Sequence, residues 1–215
     1  MVSQIQQILA LIDDLRRQVE LLSKTGGPVL PVTFSKIKNY DEYLSRQQER
    51  AVEKSSKYHR KVIKEFVKKL QKLGDCSSVL CLGARSDDEV KQFIDAGFEA
   101  VGVDLFESEL IQKCDISALP KHFDRQFDAF VASHTLEHIL DFHGFYNGLM
   151  KLCRKYLLVA VPKNTKLDRW DCAHYDFMKD NPQPMDIEKY FPGFKVLEIK
   201  DDSSQVRFVM GRVMP

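Results

Sequence analysis

Apolar side chains recur at three- and four-residue intervals in the first third of the chain and in short runs thereafter. Ile5, Ile8, Ile12, Leu15, Val19 and Leu22 form the a/d seam of a short coiled coil within residues 1–24. An isolated helix of that length is marginal in water, so its stripe must be buried. A second copy of the chain and the rest of the same chain are the two available surfaces. Gly26-Gly27-Pro28 then breaks the pattern and opens a linker over residues 25–39. Residues 40–74 read as a basic helical region. Val62, Ile63, Phe66, Val67, Leu70 and Leu73 share one face, lysines take the opposite one, and Gly74 supplies the stop.

Beyond Gly74 the period shortens. Apolar runs at 78–82, 99–103, 111–114, 127–132 and 156–161 predict strands. Helical stretches are expected at 87–95, near Glu107, near Leu119, and over residues 135–154. Strands alternating with helices predict an α/β domain with a mostly parallel sheet and helices on both faces. Two further strands, 195–200 and 205–213, flank Asp201-Asp202-Ser203-Ser204 as an antiparallel hairpin. The expectation is therefore a seven-stranded sheet over residues 75–215 with a helical extension in front.

Composition narrows the class. The 215 residues are 44% hydrophobic and 29% charged, ordinary for a globular protein. No apolar run approaches the roughly 18 residues a membrane span needs. The first residues lack the basic flank and apolar block of a signal peptide. The five cysteines (Cys76, Cys81, Cys114, Cys153, Cys172) contain no C-x-x-C pair, which predicts reduced thiols and a cytoplasmic location. The net charge of +1 hides an asymmetry: residues 36–72 hold twelve Lys/Arg against five Asp/Glu, and residues 73–215 hold seventeen against twenty-three. The basic stretch is either a solvated face that complements the acidic domain or a site for a polyanion.

The first strand of the domain ends in Gly83-Ala84-Arg85, and Ser86-Asp87-Asp88-Glu89 reads as a capping box opening a helix. The second strand ends at Asp104. A glycine turn after one strand and an acid at the end of the next are parts of a nucleoside-binding crevice, the carboxylate accepting from ribose hydroxyls. Further fingerprint glycines are missing, and Asp87, Asp88 and Glu89 would repel a pyrophosphate. The charges suit a sulfonium and an ammonium, so S-adenosylmethionine is favoured over NAD.

The segments Val79-Leu80-Cys81-Leu82-Gly83, Val101-Gly102-Val103-Asp104, Lys113-Cys114-Asp115-Ile116 and Phe127-Asp128-Ala129-Phe130-Val131-Ala132-Ser133-His134-Thr135-Leu136-Glu137-His138 occur in that order. In this the chain resembles the class I S-adenosylmethionine-dependent methyltransferases over residues 75–215. The resemblance implies a Rossmann-like fold and a cofactor site built from Gly83, Ala84, Arg85, Glu89, Asp104, Leu105, Asp115, Ile116, Ser133 and His134. Gly83 would lie under the methionine part, Asp104 would hold the ribose, and Asp115 and Ile116 would meet the adenine. His134 would stand beside the reactive methyl. The chain departs from the family at Cys81, where an acid is usual, and at Arg85 and Asp87, where glycines are usual. Glu89 is the candidate to replace the missing acid.

His134-Thr135-Leu136-Glu137-His138 also matches the H-x-x-E-H pattern of inverted zinc proteases. That chemistry needs both imidazoles on one helix face, whereas His134 directly follows a strand. The element is similar instead to the E-x-x-E-H of methyltransferases that act on vicinal hydroxyls with a divalent metal. That likeness implies Glu137, His138, His134 and His174 as ligands of Mg, Mn or Zn, which would acidify a bound hydroxyl. The alternative is a Glu-His pair that lines the pocket without metal.

Between the fifth strand and the hairpin, Arg169-Trp170-Asp171-Cys172-Ala173-His174-Tyr175-Asp176-Phe177-Met178 gathers aromatic, acidic and imidazole groups. It reads either as a site that stacks a sugar or as a satellite core under a long loop. His134 and His174 are the candidate bases, with Asp171 to orient one of them. The expectation is an O-methyltransferase of a hydroxyl-rich small molecule or glycan. The alternatives are an RNA or nucleotide methyltransferase that uses the basic helix, and a non-catalytic scaffold paired as a homodimer through residues 2–24.

Overall fold

The computed structural model describes residues 27–33, 45, 49, 56–163 and 173–213. The coiled-coil seam, most of residues 34–55, and Arg169, Trp170, Asp171 and Cys172 lie outside them. The elements in chain order are β1 (Val32–Thr33), α1 (Lys57–Leu73), β2 (Ser78–Leu82), α2 (Asp87–Ile94), β3 (Glu99–Asp104) and β4 (Ile111–Lys113). A 3-10 segment Ile116–Lys121 leads into β5 (Phe127–Ser133), and a 3-10 turn Leu136–His138 follows it. The rest comprises α3 (Phe142–Leu152), β6 (Cys153–Pro162), β7 (Ala173–His174), α4 (Pro184–Glu188), β8 (Phe194–Asp201) and β9 (Gln205–Arg212).

Seven strands form one sheet in the order β4-β3-β2-β5-β6-β9-β8. β2 runs parallel to β3 and β5, β4 extends the row beside β3, and β6 extends it beside β5. β9 is antiparallel to both β6 and β8, so the predicted hairpin closes one edge. Every residue of β2 and of β5 is buried. That explains their near-continuous apolar runs: a parallel strand covered on both faces has no polar side.

Alternate residues of these strands feed two cores. Leu80, Leu82, Phe130, Ala132, Leu157 and Val159 pack with Phe142, Phe145 and Leu149 of α3. Val79, Cys81, Ala129, Val131, Leu158 and Ala160 pack with α1 and with Val90 and Phe93 of α2. α1 buries Val62, Ile63, Phe66, Val67 and Leu70, each worth roughly 1.5–3 kcal/mol when withdrawn from water. Its far end stops at Gly74 in the left-handed region (φ 81°), whose N–H donates to Leu70 O at 3.2 Å. Ion pairs fasten the helix to the hairpin: Glu65 to Lys200 (3.0 Å) and to the buried Arg207, and Lys69 to Glu198. α1 is thus a covering layer of the sheet.

Several local expectations change. The helix predicted over 135–154 is broken: the short turn Leu136–His138 is separated from α3 by Asp141, whose carboxylate accepts from Gly144 N–H at 2.8 Å and starts α3 afresh. Residues near Glu107 form no helix. Ser86 sits at the N-cap of α2 without a side-chain cap bond, so the expected capping box does not form there. A reciprocal box does occur at Gln183 and Asp186. Within the stretch expected as a linker, Val32 and Thr33 pair antiparallel with His174 and Ala173, and Val29 N–H donates to Lys189 O at 2.9 Å. The described cysteines, Cys76, Cys81, Cys114 and Cys153, are free, and no helix among the described residues is long and apolar enough to cross a membrane.

Asp128 ties the first turns of β2 and β5 together. Its Oδ2 accepts from Ser77 N–H (2.9 Å), Ser77 Oγ (2.7 Å) and Ser78 N–H (3.2 Å), while Oδ1 meets Arg154 at 2.9 Å. Burial alone would raise its pKa, but the Ser77 hydrogen bonds and the Lys155 and Arg154 charges outweigh that and hold it at about 2. The stabilisation is therefore complete above the ordinary carboxylate value and lost as pH falls toward 2. Asp128→Ala is expected to cost about 2–3 kcal/mol at pH 7 in urea unfolding, with the difference from wild type shrinking below pH 3.8.

Candidate functional site

Strand order reverses between β2 and β5: successive strands step outward to β3 and β4 on one side and to β6 on the other. The loops leaving the C-terminal ends of β2 and β5 must diverge, which opens a crevice at that switch point. Gly83 and His134 follow those two strand ends, Asp104 ends β3, and Asp115 lies just beyond β4.

Gly83 has φ 61°, in the left-handed region. A Cβ there would lie 2.5 Å from Thr135 Oγ1. Thr135 Oγ1 donates to Leu82 O at 3.0 Å, so the side chain that fills this space also bridges the ends of β2 and β5. The glycine is required by that close approach as well as by its backbone angle. Ala84 is buried, and its N–H donates to Val103 O at 3.1 Å.

Asp104 ends β3 half-buried. Among the described residues only Leu105 N–H donates to its carboxylate, at 2.6 Å. Burial pushes its pKa up to about 6, against the smaller opposing effects of the Leu105 hydrogen bond and the nearby His138. A carboxylate held with so few donors fits a ligand that brings hydroxyl donors of its own. Asp115 Oδ1 accepts from Ser117 N–H (2.9 Å) and Ser117 Oγ (2.7 Å), starting the 3-10 segment, and Ile116 packs partly against the core. Asp87, read from sequence as part of the charge that repels phosphate, is engaged in the loop before β4: its Oδ1 accepts from Ser108 Oγ at 2.7 Å and Leu110 N–H at 3.0 Å. Glu89 is buried in the first turn of α2, close enough to raise the pKa of the buried Cys81 thiol beyond what burial does.

His134 departs from regular strand geometry at φ 54°, an unusual value for a residue with a side chain. Its N–H still donates to Ala160 O at 2.8 Å. The ring lies with Nε2 3.1 Å from Gln205 Oε1 and Nδ1 3.5 Å from Glu137 Oε1. Glu137 is buried, and its Oε2 and the buried Ser133 Oγ have no hydrogen-bond partner among the described residues. Such orphaned polar atoms in a crevice are where a ligand completes the bonding.

Two side chains that sequence reading missed complete this end of the site. α1 begins at Lys57, and its first turn brings Tyr58 and His59 over His134, with ring centroids at 6.4 and 5.0 Å. Tyr58 Oη lies 3.1 Å from Ser204 Oγ in the hairpin turn. Burial lowers the His59 pKa to about 4, helped by the neighbouring His134 and Arg85 and opposed by Glu137. Gln205, also missed, is buried at the start of β9. Nothing in the local sequence signals these contacts except Ser56, whose Oγ accepts from His59 N–H at 3.2 Å and marks the helix start.

Other expected site groups are dispersed. His134 faces Gln205 and His59, and His138 is near enough to Asp104 to bear on its charge. The H-x-x-E-H spacing presumed a helix, but a positive-φ residue and a 3-10 turn replace it. Among the described residues no three His, Cys, Asp or Glu side chains gather into a metal-holding group, so Glu137, His138, His134 and His174 do not fit the divalent metal expected of them. His174 lies on β7, paired with the backbone of Val32. Tyr175, Phe177 and Met178 are fully buried, stacked or edge-on with Phe142, Tyr190, Phe191 and Phe208, and belong to the core. Asp171 and Trp170 lie outside the described residues.

No family model matches the chain, and no curated protein does. Solved structures do. A 1,6-didemethyltoxoflavin-N1-methyltransferase of Burkholderia thailandensis, solved with that compound and S-adenosylhomocysteine, superposes with a TM-score of 0.63 at 12% identity, over 87% of this chain and 94% of that one. The N-methyltransferase NodS of Bradyrhizobium japonicum gives 0.62 at 11%, over 81% and 100%. The N-terminal domain of EvdMO1, solved in the presence of S-adenosylhomocysteine and D-fucose, gives 0.51 at 13%, over 84% and 100%. The chain has the class I methyltransferase fold.

Two titrations follow from this geometry. Between about pH 4 and 6 the folded protein binds a proton at Asp104 that the unfolded chain has released, so this group's contribution to stability falls as pH rises through that window. Asp104→Asn is expected to raise the melting temperature of the ligand-free protein at pH 7.5, by about 1–3 kcal/mol of stability, with no gain at pH 4. In ring-resolved NMR, His59 should titrate near pH 4, and His134→Gln should move that midpoint upward.

Proposed function

We propose that this protein is an S-adenosylmethionine-dependent O-methyltransferase, acting in the cytoplasm on a hydroxyl of a hydroxyl-rich small molecule or glycan. The observation that carries the cofactor is Asp104: a half-buried carboxylate with a single donor among the described residues, at the end of the strand next to the Gly83 turn, at the switch point of the sheet. Ribose hydroxyls would supply the donors it lacks. Arg85 and Glu89, on the glycine turn and the first turn of α2, would face the carboxylate and ammonium of the methionine part. When bound, the cofactor supplies a methyl group on a positively charged sulfur.

The acceptor reading rests on the other end of the crevice. An alcohol is a poor nucleophile until its proton has somewhere to go, and imidazole is the side chain best suited to accept it. Two imidazoles, a buried carboxylate and the amide of Gln205 converge there. Similar folds serve nitrogen acceptors, as the names of the toxoflavin enzyme and NodS state, while the EvdMO1 domain was solved with a sugar. The converging proton acceptors favour the hydroxyl class.

Calorimetry with S-adenosylhomocysteine is expected to show binding by the wild type and a loss of roughly a hundredfold or more in Asp104→Ala, the cost of two charge-assisted hydrogen bonds. Tritium from methyl-labelled S-adenosylmethionine should appear in an ether of D-fucose, methyl α-D-glucoside or catechol. Absence of cofactor binding would sink the reading altogether. Transfer confined to nitrogen acceptors would sink its hydroxyl part.

A further inference from the structure

We propose that His59, delivered by the first turn of α1, is the base that takes the acceptor's proton. This rests on the methyltransferase reading above and assigns a role within it. His134 follows the strand that lines the crevice, but both of its ring nitrogens already face protein acceptors: Nδ1 faces Glu137 Oε1 and Nε2 faces Gln205 Oε1. With protein groups against both nitrogens, the ring has neither one open to a substrate proton.

His59 is placed differently. Its Nδ1 lies 3.2 Å from Ser56 Oγ, and no described residue bonds its Nε2. The groups around the ring are His134 from the end of β5, Arg85 from the turn after β2, and Glu137 from the 3-10 turn, with Tyr58 adjacent on its own helix. Burial, reinforced by the neighbouring Arg85 and His134, keeps the ring neutral, the form that accepts a proton. The mounting is rigid, because α1 is held by five buried apolar side chains and by the Glu65 and Lys69 ion pairs to the hairpin.

In the step itself the acceptor oxygen attacks the methyl carbon, the carbon–sulfur bond breaks with its electron pair staying on sulfur, and the hydroxyl proton passes to His59 Nε2. The positive charge that leaves sulfur thus appears on the imidazole, which releases the proton to solvent. A weakly basic ring suffices, because a hydroxyl oxygen becomes strongly acidic as its new bond to carbon forms.

The test uses the full chain as wild type and His59→Gln, with D-fucose, methyl α-D-glucoside and catechol as acceptors and S-adenosylhomocysteine affinity measured in parallel. The expected result is a kcat lowered at least about a hundredfold in His59→Gln, with cofactor affinity and acceptor KM within a few-fold of wild type. Diethyl pyrocarbonate at pH 5.5, read by mass spectrometry, should modify His59 faster than His134 in the wild type, since His59 Nε2 has no described partner whereas both nitrogens of His134 face protein groups. Unchanged kcat in His59→Gln, cofactor affinity falling in step with kcat, or faster modification of His134 would each overturn the assignment. A wild type that binds S-adenosylhomocysteine but methylates none of the three overturns the hydroxyl reading and this role with it. One that does not bind it overturns the cofactor reading first.

Discussion

The site depends on the contact between two wholly buried strands, β2 and β5. Each lies between two apolar layers, so neither can shift register without driving a whole face of side chains into the wrong core. Their order in the sheet makes the outgoing loops part company, and Thr135 then pins the two strand ends together at Leu82 O. Gly83 is the residue that permits this pin. With the strand ends fixed, Asp104 on one side and His134 on the other are held at opposite ends of a single opening. The neighbouring elements position chemistry only because this pair does not move.

How legible this was in the sequence varies with the cause of each feature. The strands were legible because burial on both faces forces continuous apolar runs, and residues that immediately follow such runs (Gly83, Asp104, Asp115, His134) could be placed by counting. The helix expected over 135–154 was misjudged because Ile139 and Leu140 continue an apolar rhythm that the Asp141 cap interrupts; a cap is a hydrogen-bond event, invisible to periodicity. Tyr175 and Phe177 could be read as a ligand platform or as a satellite core because aromatic residues in a long loop serve either purpose, and only their packing against Phe142 and Phe208 decides for the core.

The acceptor end was hardest to read. His59 and Gln205 come from a helix before the domain and from the last strand, and a contact across such separation leaves no spacing rule. The H-x-x-E-H element gave a spacing rule that did not apply, since its first histidine is a positive-φ strand terminus and its last is near enough to Asp104 to bear on its charge. The electrostatics explain the retained side chains. Glu89, in the first turn of α2, lies close enough to the buried Cys81 thiol to raise its pKa beyond what burial does.

The attachment of α1 separates two inheritances within one crevice. The half that holds Asp104 belongs to the alternating strand–helix body. The half that carries His59 arrives on a helix fastened from outside, through Arg207, Lys200 and Glu65, to the terminal hairpin. Drift in the leading helix and in the hairpin must therefore be matched, pair by pair.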